Sequence, residues 1–570
     1  MFGSLPAHAG SSPVKWLRLR LANMFAFFLA PVRGGMTPNV APLRIVSAFL
    51  IAGWLAPVLT AGLVGLGLSI VPAAIIAVAA AAGATAWAVW ARRGADWILD
   101  VFLAGPRIWL VVMLIAAIAA CAWNARLTVF MVDSSRTDCA YKPSDQFLTG
   151  HSCFSAYSEA ARFAVAGGDV NIYDLRLYAP ETTAGPRRML GGLRVDVYHY
   201  PPPFLLLPAA IRLAAPEFLA TRAVWFMVEA LLLAAAIVVM SRWIGGVPGA
   251  WTAALGWFVL ASPSVLQTLQ VGNFQVAVYS LGIIAFVLIV SKRELTGAAL
   301  LAYGAVGKIV PGILVLFLLT ARRWRAAILT GVFCVLLLAI TIAVFGWKPI
   351  SDFVWDEMPK IASGEAFPQT ERITTPTANM SVYGETVRLR RLFAAWFGVS
   401  WLGPEIGRTI ASLYGLLVVV MTAAAGWLAS QRGWLAFGRQ SPETRIKLAQ
   451  LVLALLSLMA FRSPFVGSIY GYLGTLWLLT LLAAETPVAA KRAGWLALFG
   501  VLGAVLWLTP SPAPPQTQIP PPMVWMVVTS VAFLLVVLLN LGVAARVIAN
   551  AWGRETEAAP LGAAVAARAD

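Results

Sequence analysis

Apolar runs near 45–67, 70–91, 108–130, 220–241, 248–264, 274–291, 326–346, 405–428, 446–461, 465–484, 494–509 and 523–545 recur along the chain, separated mostly by short connections. Each can cross a hydrocarbon core of roughly 30 Å as a helix, so the pattern predicts an all-α polytopic membrane protein with about 12 transmembrane helices. Two polar stretches interrupt this rhythm, 132–201 and 347–391. A chain that only needed to cross a bilayer would connect its helices tightly, so long loops rich in acidic and aromatic residues are where chemistry is expected.

Two apolar stretches also break the up-and-down pattern. Phe204 to Ala214 would be roughly 16 Å long as a helix, too short to span, and is expected to lie along or dip into the outer leaflet. Thr296 to Thr320 is flanked on both sides by basic clusters and interrupted by Gly304-Ala-Val-Gly307-Lys308-Ile-Val-Pro311-Gly312. A single span would put one basic cluster outside, whereas two half-helices return the chain to the side it came from, with Lys308 at the tip. Irregular backbone at that depth is tolerated where it lines protein or a wet cavity.

Charge orients the chain. The composition is 60% hydrophobic and only 12% charged, which excludes a water-soluble domain. The net charge of +17 resides in short connections and termini, such as Arg92-Arg93, Lys292-Arg293, Arg322-Arg323 and Lys491-Arg492. That placement marks cytoplasmic loops rather than a nucleic-acid surface. Segment 132–201 carries seven basic and eight acidic residues and segment 347–391 six of each, so both are assigned to the outside. Residues 1–44 then form a cytoplasmic and interfacial segment without a cleavable signal, its Lys15, Arg18 and Arg20 facing anionic headgroups. Residues 45–107 contribute two extra helices, 108–485 the membrane core, 486–546 the C-terminal helices and 547–570 a disordered tail, with a proline-rich external connector at 509–522.

Candidate chemistry is concentrated on the outer side. Lys308, inside the membrane, could neutralise a phosphate or could snorkel to a structural partner. Asp133, Asp138, Asp145, Glu159, Asp169, Asp174 and Asp196 populate the first outer loop with His151 and His199, and a carboxylate near the membrane plane could act as general base toward a sugar hydroxyl. Tyr173, Tyr178, Tyr198 and Tyr200 offer faces for a sugar ring, or ordinary loop packing. Cys139 and Cys153 share that loop, where an oxidising compartment would allow a disulfide, while Cys121 and Cys334 read as small core residues. Neither His-x-x-x-His nor Cys-x-x-Cys spacing occurs, so no metal is expected; Asp352, Asp356 and Glu357 need no cation in a hydrated loop. No Walker spacing surrounds Lys308, and no cofactor is expected.

The order of motifs resembles the integral-membrane GT-C glycosyltransferases, specifically glycosyltransferase family 87. Phe154-Ser-Ala-Tyr157-Ser-Glu-Ala-Ala161, Gly167-Gly168 and Tyr173-Asp174 are similar to the family's acidic-aromatic helix. Tyr200-Pro-Pro202, Gln270-Val-Gly-Asn273-Phe-Gln275, Lys308-Ile-Val-Pro311 and Asn379-x-Ser381-x-Tyr383-Gly384 are similar to its later motifs. The resemblance implies a GT-C-like bundle with re-entrant half-helices and interfacial helices on the outer face. It also implies an inverting hexose transfer from a polyprenyl-phosphate sugar donor to a lipid or glycan acceptor, with membrane lipids as the other partners. The site would lie on the periplasmic side of the cytoplasmic membrane. Lys308, Tyr200, His199, Asp196, Asn273, Gln275 and Arg388, the last beside Arg390 and Arg391, are then candidate substrate or phosphate contacts.

One departure matters: Cys153 stands where the family carries its acidic residue. The base would then come from Asp133, Asp138 or Asp145, brought in by a Cys139–Cys153 disulfide, or be His151, whose ordinary pKa of about 6.5 needs no shift. Otherwise the site is silent. The competing readings are a lipid or glycan transporter or flippase, for which broken helices are equally natural, and an envelope-glycan assembly factor.

Overall fold

The computed structural model describes residues 41–86, 106–178, 188–367, 370, 375–399, 403–435, 440–510 and 521–553. The N-terminal interfacial segment, the heart of the proline-rich connector at 511–520 and the tail from 554 lie outside the described residues. What is described is almost entirely helical, as backbone in lipid must be when each N–H and C=O needs a partner within its own segment.

Helices α1 (Ala41–Gly65), α2 (Ile70–Ala86) and α3 (Ile108–Val132) precede the first long loop. Within that loop lies α4 (Phe154–Ala166), and α5 (Leu206–Ala214) follows it. Then come α6 (Phe218–Ile244), α7 (Gly246–Leu260), α8 (Pro263–Val271), α9 (Gln275–Val290), α10 (Glu294–Gly307), α11 (Gly312–Thr320) and α12 (Trp324–Phe345). After the second long loop and its amphipathic α13 (Val382–Phe397), the chain ends in α14 (Pro404–Gln431), α15 (Pro442–Phe461), α16 (Leu473–Glu485), α17 (Ala489–Leu508) and α18 (Met523–Gly553).

Among the described residues eight helices are long and apolar enough to cross a membrane, nine when α7 and α8, bent by 56° across a short break, count as one span. The expected runs at 70–91 and 274–291 are realised as the shorter apolar helices α2 and α9. The expected span 465–484 is a correction: Phe465 to Tyr472 forms a loop and a four-residue turn of helix, and α16 starts only at Leu473. Gly467 and Gly471 in that stretch weaken a continuous helix.

Contacts fix the course of the broken pair. Going up α10, Gly297 packs on Ala285 and Ile289 of α9, and Gly307 packs on Phe274 at the start of α9. Helix α10 therefore runs antiparallel to α9. Going along α11, Leu314 meets Gly282, and Phe317 lies 6.0 Å from Phe286, so α11 runs back parallel to α9. The two form a helical hairpin with Lys308 at its tip, level with Phe274. The opposite end is basic and tied by backbone acceptors: Arg323 donates to the Leu435 carbonyl and Arg445 to that of Trp243 at 2.8 Å.

At the other end, the crown, the long loops pack on one another. A small sheet orders the first loop: β1 (His151–Ser152), β2 (Met189–Leu190) and β3 (Leu193–Val195) lie in the order β1-β3-β2. β1 pairs parallel to β3 with His151 opposite Arg194 and Ser152 opposite Val195.

Candidate active site

Three walls of the crown converge above the hairpin tip. Lys308 is half-buried and extended, its N–H donating to Gly304 O at 3.0 Å. Its Nζ lies 5.6 Å from the centre of the Tyr200 ring and 5.0 Å from that of Tyr470. An ammonium between two aromatic faces is stabilised by their quadrupoles and remains able to meet an anion. Tyr200 is itself fixed, its hydroxyl receiving that of Tyr157 at 3.1 Å and its carbonyl accepting from Tyr173 at 2.9 Å. Pro202 opens the 3-10 turn that carries the chain into α5, as a residue lacking an N–H suits a helix start.

The second wall is α4, whose N-cap is Cys153. A helix N-terminus favours negative charge, so a carboxylate would be at home there. The thiol is instead pushed well above its ordinary value, by burial first and by Asp196 next, with Asn273 and Lys308 opposing. It is therefore a neutral group, unfit as a base. Around it, His151 Nε2 stands 3.4 Å from Cys153 Sγ and 3.6 Å from Asp196 Oδ2, and Phe147 stacks on the imidazole at 4.4 Å. The parallel β1–β3 register carries His151 and Asp196 to the same place. Asp196 is anchored by its N–H to Ser155 Oγ at 2.8 Å, yet its side chain is 40% exposed. It is a carboxylate that can change partners.

The third wall is the turn between α8 and α9. Gly272 ends α8 left-handed at φ +67°, and a Cβ there would come within 2.8 Å of Phe154, so glycine is required on both counts. The turn presents Asn273 to the Cys153 thiol. Beneath, Glu229 of α6 lies within electrostatic reach of Lys308.

The structure thus brings together Lys308, Tyr200, Asp196, His151 and Asn273. It does not bring in the other expected residues. Asp133 Oδ1 is turned to Ser135, accepting its hydroxyl at 2.6 Å and its N–H at 3.0 Å, which holds the carboxyl below its usual range. Asp138 sits against Arg136 at 3.1 Å and is lowered by it. Asp145 caps the helix at Gln146–Gly150, accepting from Phe147 and Leu148, with Lys142 at 3.4 Å. Cys139 and Cys153 are both free thiols, so no disulfide draws those aspartates inward. Gln275 is turned to Tyr279 within its own helix. Arg388 is fully buried, bonded to Glu385 at 2.9 Å and to the carbonyls of Pro376 and Asn379; it ties a turn rather than facing a substrate. Tyr173, Tyr178 and Tyr198 are buried in the loop's own core.

Tyr470 and Glu229 are not singled out by the sequence, and Tyr157 only as part of a motif; Gly467-Ser-Ile-Tyr470-Gly was the available signal for the first. His151, Cys153 and Asp196 place three ligand-type atoms within 4.8 Å of one another, a set that could suit a zinc-class ion. The Lys308 ammonium, within electrostatic reach of that thiol, opposes a cation there.

Residues 198–435 match the model of glycosyltransferase family 87. The protein is a membrane glycosyltransferase. No curated protein matches the chain. The matched stretch of the transferase contains Tyr200, Asn273, Lys308 and Arg388. Asp196 lies just before it and His151 and Cys153 well upstream, so these three come from the chain's preceding segment.

Proposed function

We propose that the protein moves a hexose from a polyprenyl-phosphate donor to a hydroxyl of a lipid or glycan acceptor, on the outer face of the cytoplasmic membrane. The observation that carries this reading is that one ammonium, Lys308 at the hairpin tip, and one accessible carboxylate, Asp196, both lie within reach of the Cys153 thiol. Lys308 holds the donor's phosphate, and the chain's apolar walls receive the polyprenyl tail. Asp196 takes the proton of the acceptor hydroxyl as its oxygen bonds to the anomeric carbon, and His151, 3.6 Å away, steadies that proton. The bond from the anomeric carbon to the phosphate oxygen breaks, and its electron pair leaves on the polyprenyl phosphate beside Lys308. Direct displacement inverts the anomeric centre.

A positioned general base typically contributes about 10²–10⁴-fold in rate. Purified protein supplied with polyprenyl-phosphate hexoses and a lipid acceptor extract should form a glycosylated product, and Asp196→Asn should lose most of that rate. Absence of product from several donors sinks the reading, and a fully active Asp196→Asn protein sinks the base assignment.

A further inference from the structure

The two crown loops meet in a second histidine–carboxylate contact, which the transfer chemistry does not use. His199 Nδ1 and Glu357 Oε1 are 2.7 Å apart, with only 4% of the carboxylate and 18% of the imidazole exposed. Successive side chains of an extended segment point to opposite sides. Tyr198 and Tyr200 face inward, and His199 faces the second loop.

On that loop Phe353–Glu357 forms a turn of π-helix, a rare widening that recurs at functional sites. Asp356 in the same turn accepts from Asn171 at 3.0 Å and pairs with Lys360 at 2.6 Å, and Phe353 packs on Tyr173 at 5.8 Å. The Phe367 ring lies 5.1 Å from His199 on one side and stacks on Phe465 at 6.3 Å on the other. Phe465 opens the segment that carries Tyr470. The second loop therefore links the segments that carry Tyr200 and Tyr470, whose rings flank Lys308.

We propose that Glu357 is a positioning residue of the transferase site. By accepting the Nδ1 proton of His199 it fixes that ring and clamps residues 353–367 across the crown. The clamp keeps Tyr200 over Lys308 and keeps the Cys153 pocket shut to bulk water. A carboxylate is not required for this; an acceptor oxygen at that position is.

Cys153 supplies a reporter that needs no substrate, being 8% exposed, while Cys139 on the loop surface is an internal control. Maleimide labelling of the full-length protein in detergent, read by mass spectrometry, should modify Cys153 about tenfold faster in Glu357→Ala and in His199→Phe, because the closed state is lost. Glu357→Gln keeps the acceptor oxygen and should stay within about twofold of the unaltered protein, and His199→Phe/Glu357→Ala should be no faster than either single change. Cys139 should label at one rate throughout.

The kinetic arm rests on the proposed transfer. Glu357→Ala should raise KM for the lipid-phosphate donor roughly tenfold with kcat little changed, the signature of lost ground-state and transition-state binding alike. Unchanged Cys153 labelling in Glu357→Ala, a Glu357→Gln protein as open as Glu357→Ala, or additive single changes overturns the clamp. If Glu357→Ala does not fold, the contrast of His199→Phe with Glu357→Gln decides. If the unaltered protein turns over no lipid-linked hexose, the transfer reading fails and the labelling still decides the clamp.

Discussion

The crown holds two histidine–carboxylate pairs of opposite character. His199 and Glu357 touch at 2.7 Å, with the carboxylate buried. His151 and Asp196 stand 3.6 Å apart, with the carboxylate well exposed and the Cys153 thiol beside both. A tight, desolvated contact is worth more as a fastening, because breaking it strands a buried polar group. A loose, wetted one leaves lone pairs available to an incoming hydroxyl. On the proposed reading, pairing geometry rather than residue type separates the fastening from the chemistry.

That contrast can be broken most directly at Asp196. Asp196→Asn keeps size and hydrogen bonding and removes the proton acceptor, so product formation should fall about 10²–10⁴-fold, measured as initial rate in folded protein. Lys308→Ala removes the cation that meets developing phosphate charge, and a loss of about 10²–10³-fold is expected in the same assay. Should Lys308→Ala remain fully active while Asp196→Asn is dead, the anion pocket lies elsewhere.

Arg388→Ala tests the neighbouring claim that buried charge here is structural. Leaving Glu385 unpaired in the interior should cost about 3–5 kcal/mol, seen as early thermal unfolding and poor recovery; any properly folded fraction should retain its donor KM. Chelation separates a base from a metal ligand set: dialysis against EDTA should leave the rate within about twofold, since a structural or catalytic zinc would be stripped. Loss that zinc restores would reassign His151, Cys153 and Asp196 together. The smallest effects belong to Asp133→Asn and Asp138→Asn, expected within about twofold because both carboxylates are exposed and engaged locally.

Much of the architecture is legible in the amino-acid sequence. The basic clusters at Lys292-Arg293 and Arg322-Arg323 require the chain to return to one side, and α10 and α11 do turn back against α9. The site was legible only in part. Lys308 announces itself because an ammonium between two apolar half-helices has few reasons to be there. Asp196 stands out less, being one of eight acidic residues in its loop; the sequence offers it as a substrate contact rather than as the base, and the disulfide expected to draw in Asp133, Asp138 or Asp145 does not form. Arg388 misled for the converse reason: its charge is visible in sequence, while Glu385, one helical turn away, already satisfies it.

Hydropathy and charge placement alone determined that this chain is a polytopic helical protein with a lysine at a break between half-helices, because lipid permits so few backbone solutions that one-dimensional patterns suffice. Tertiary structure alone decided which acid shares the surroundings of Cys153 with that lysine. The parallel register of β1 with β3 unites His151 with Asp196 across the loop, and such pairing depends on how a polar loop packs on itself, which no local periodicity encodes.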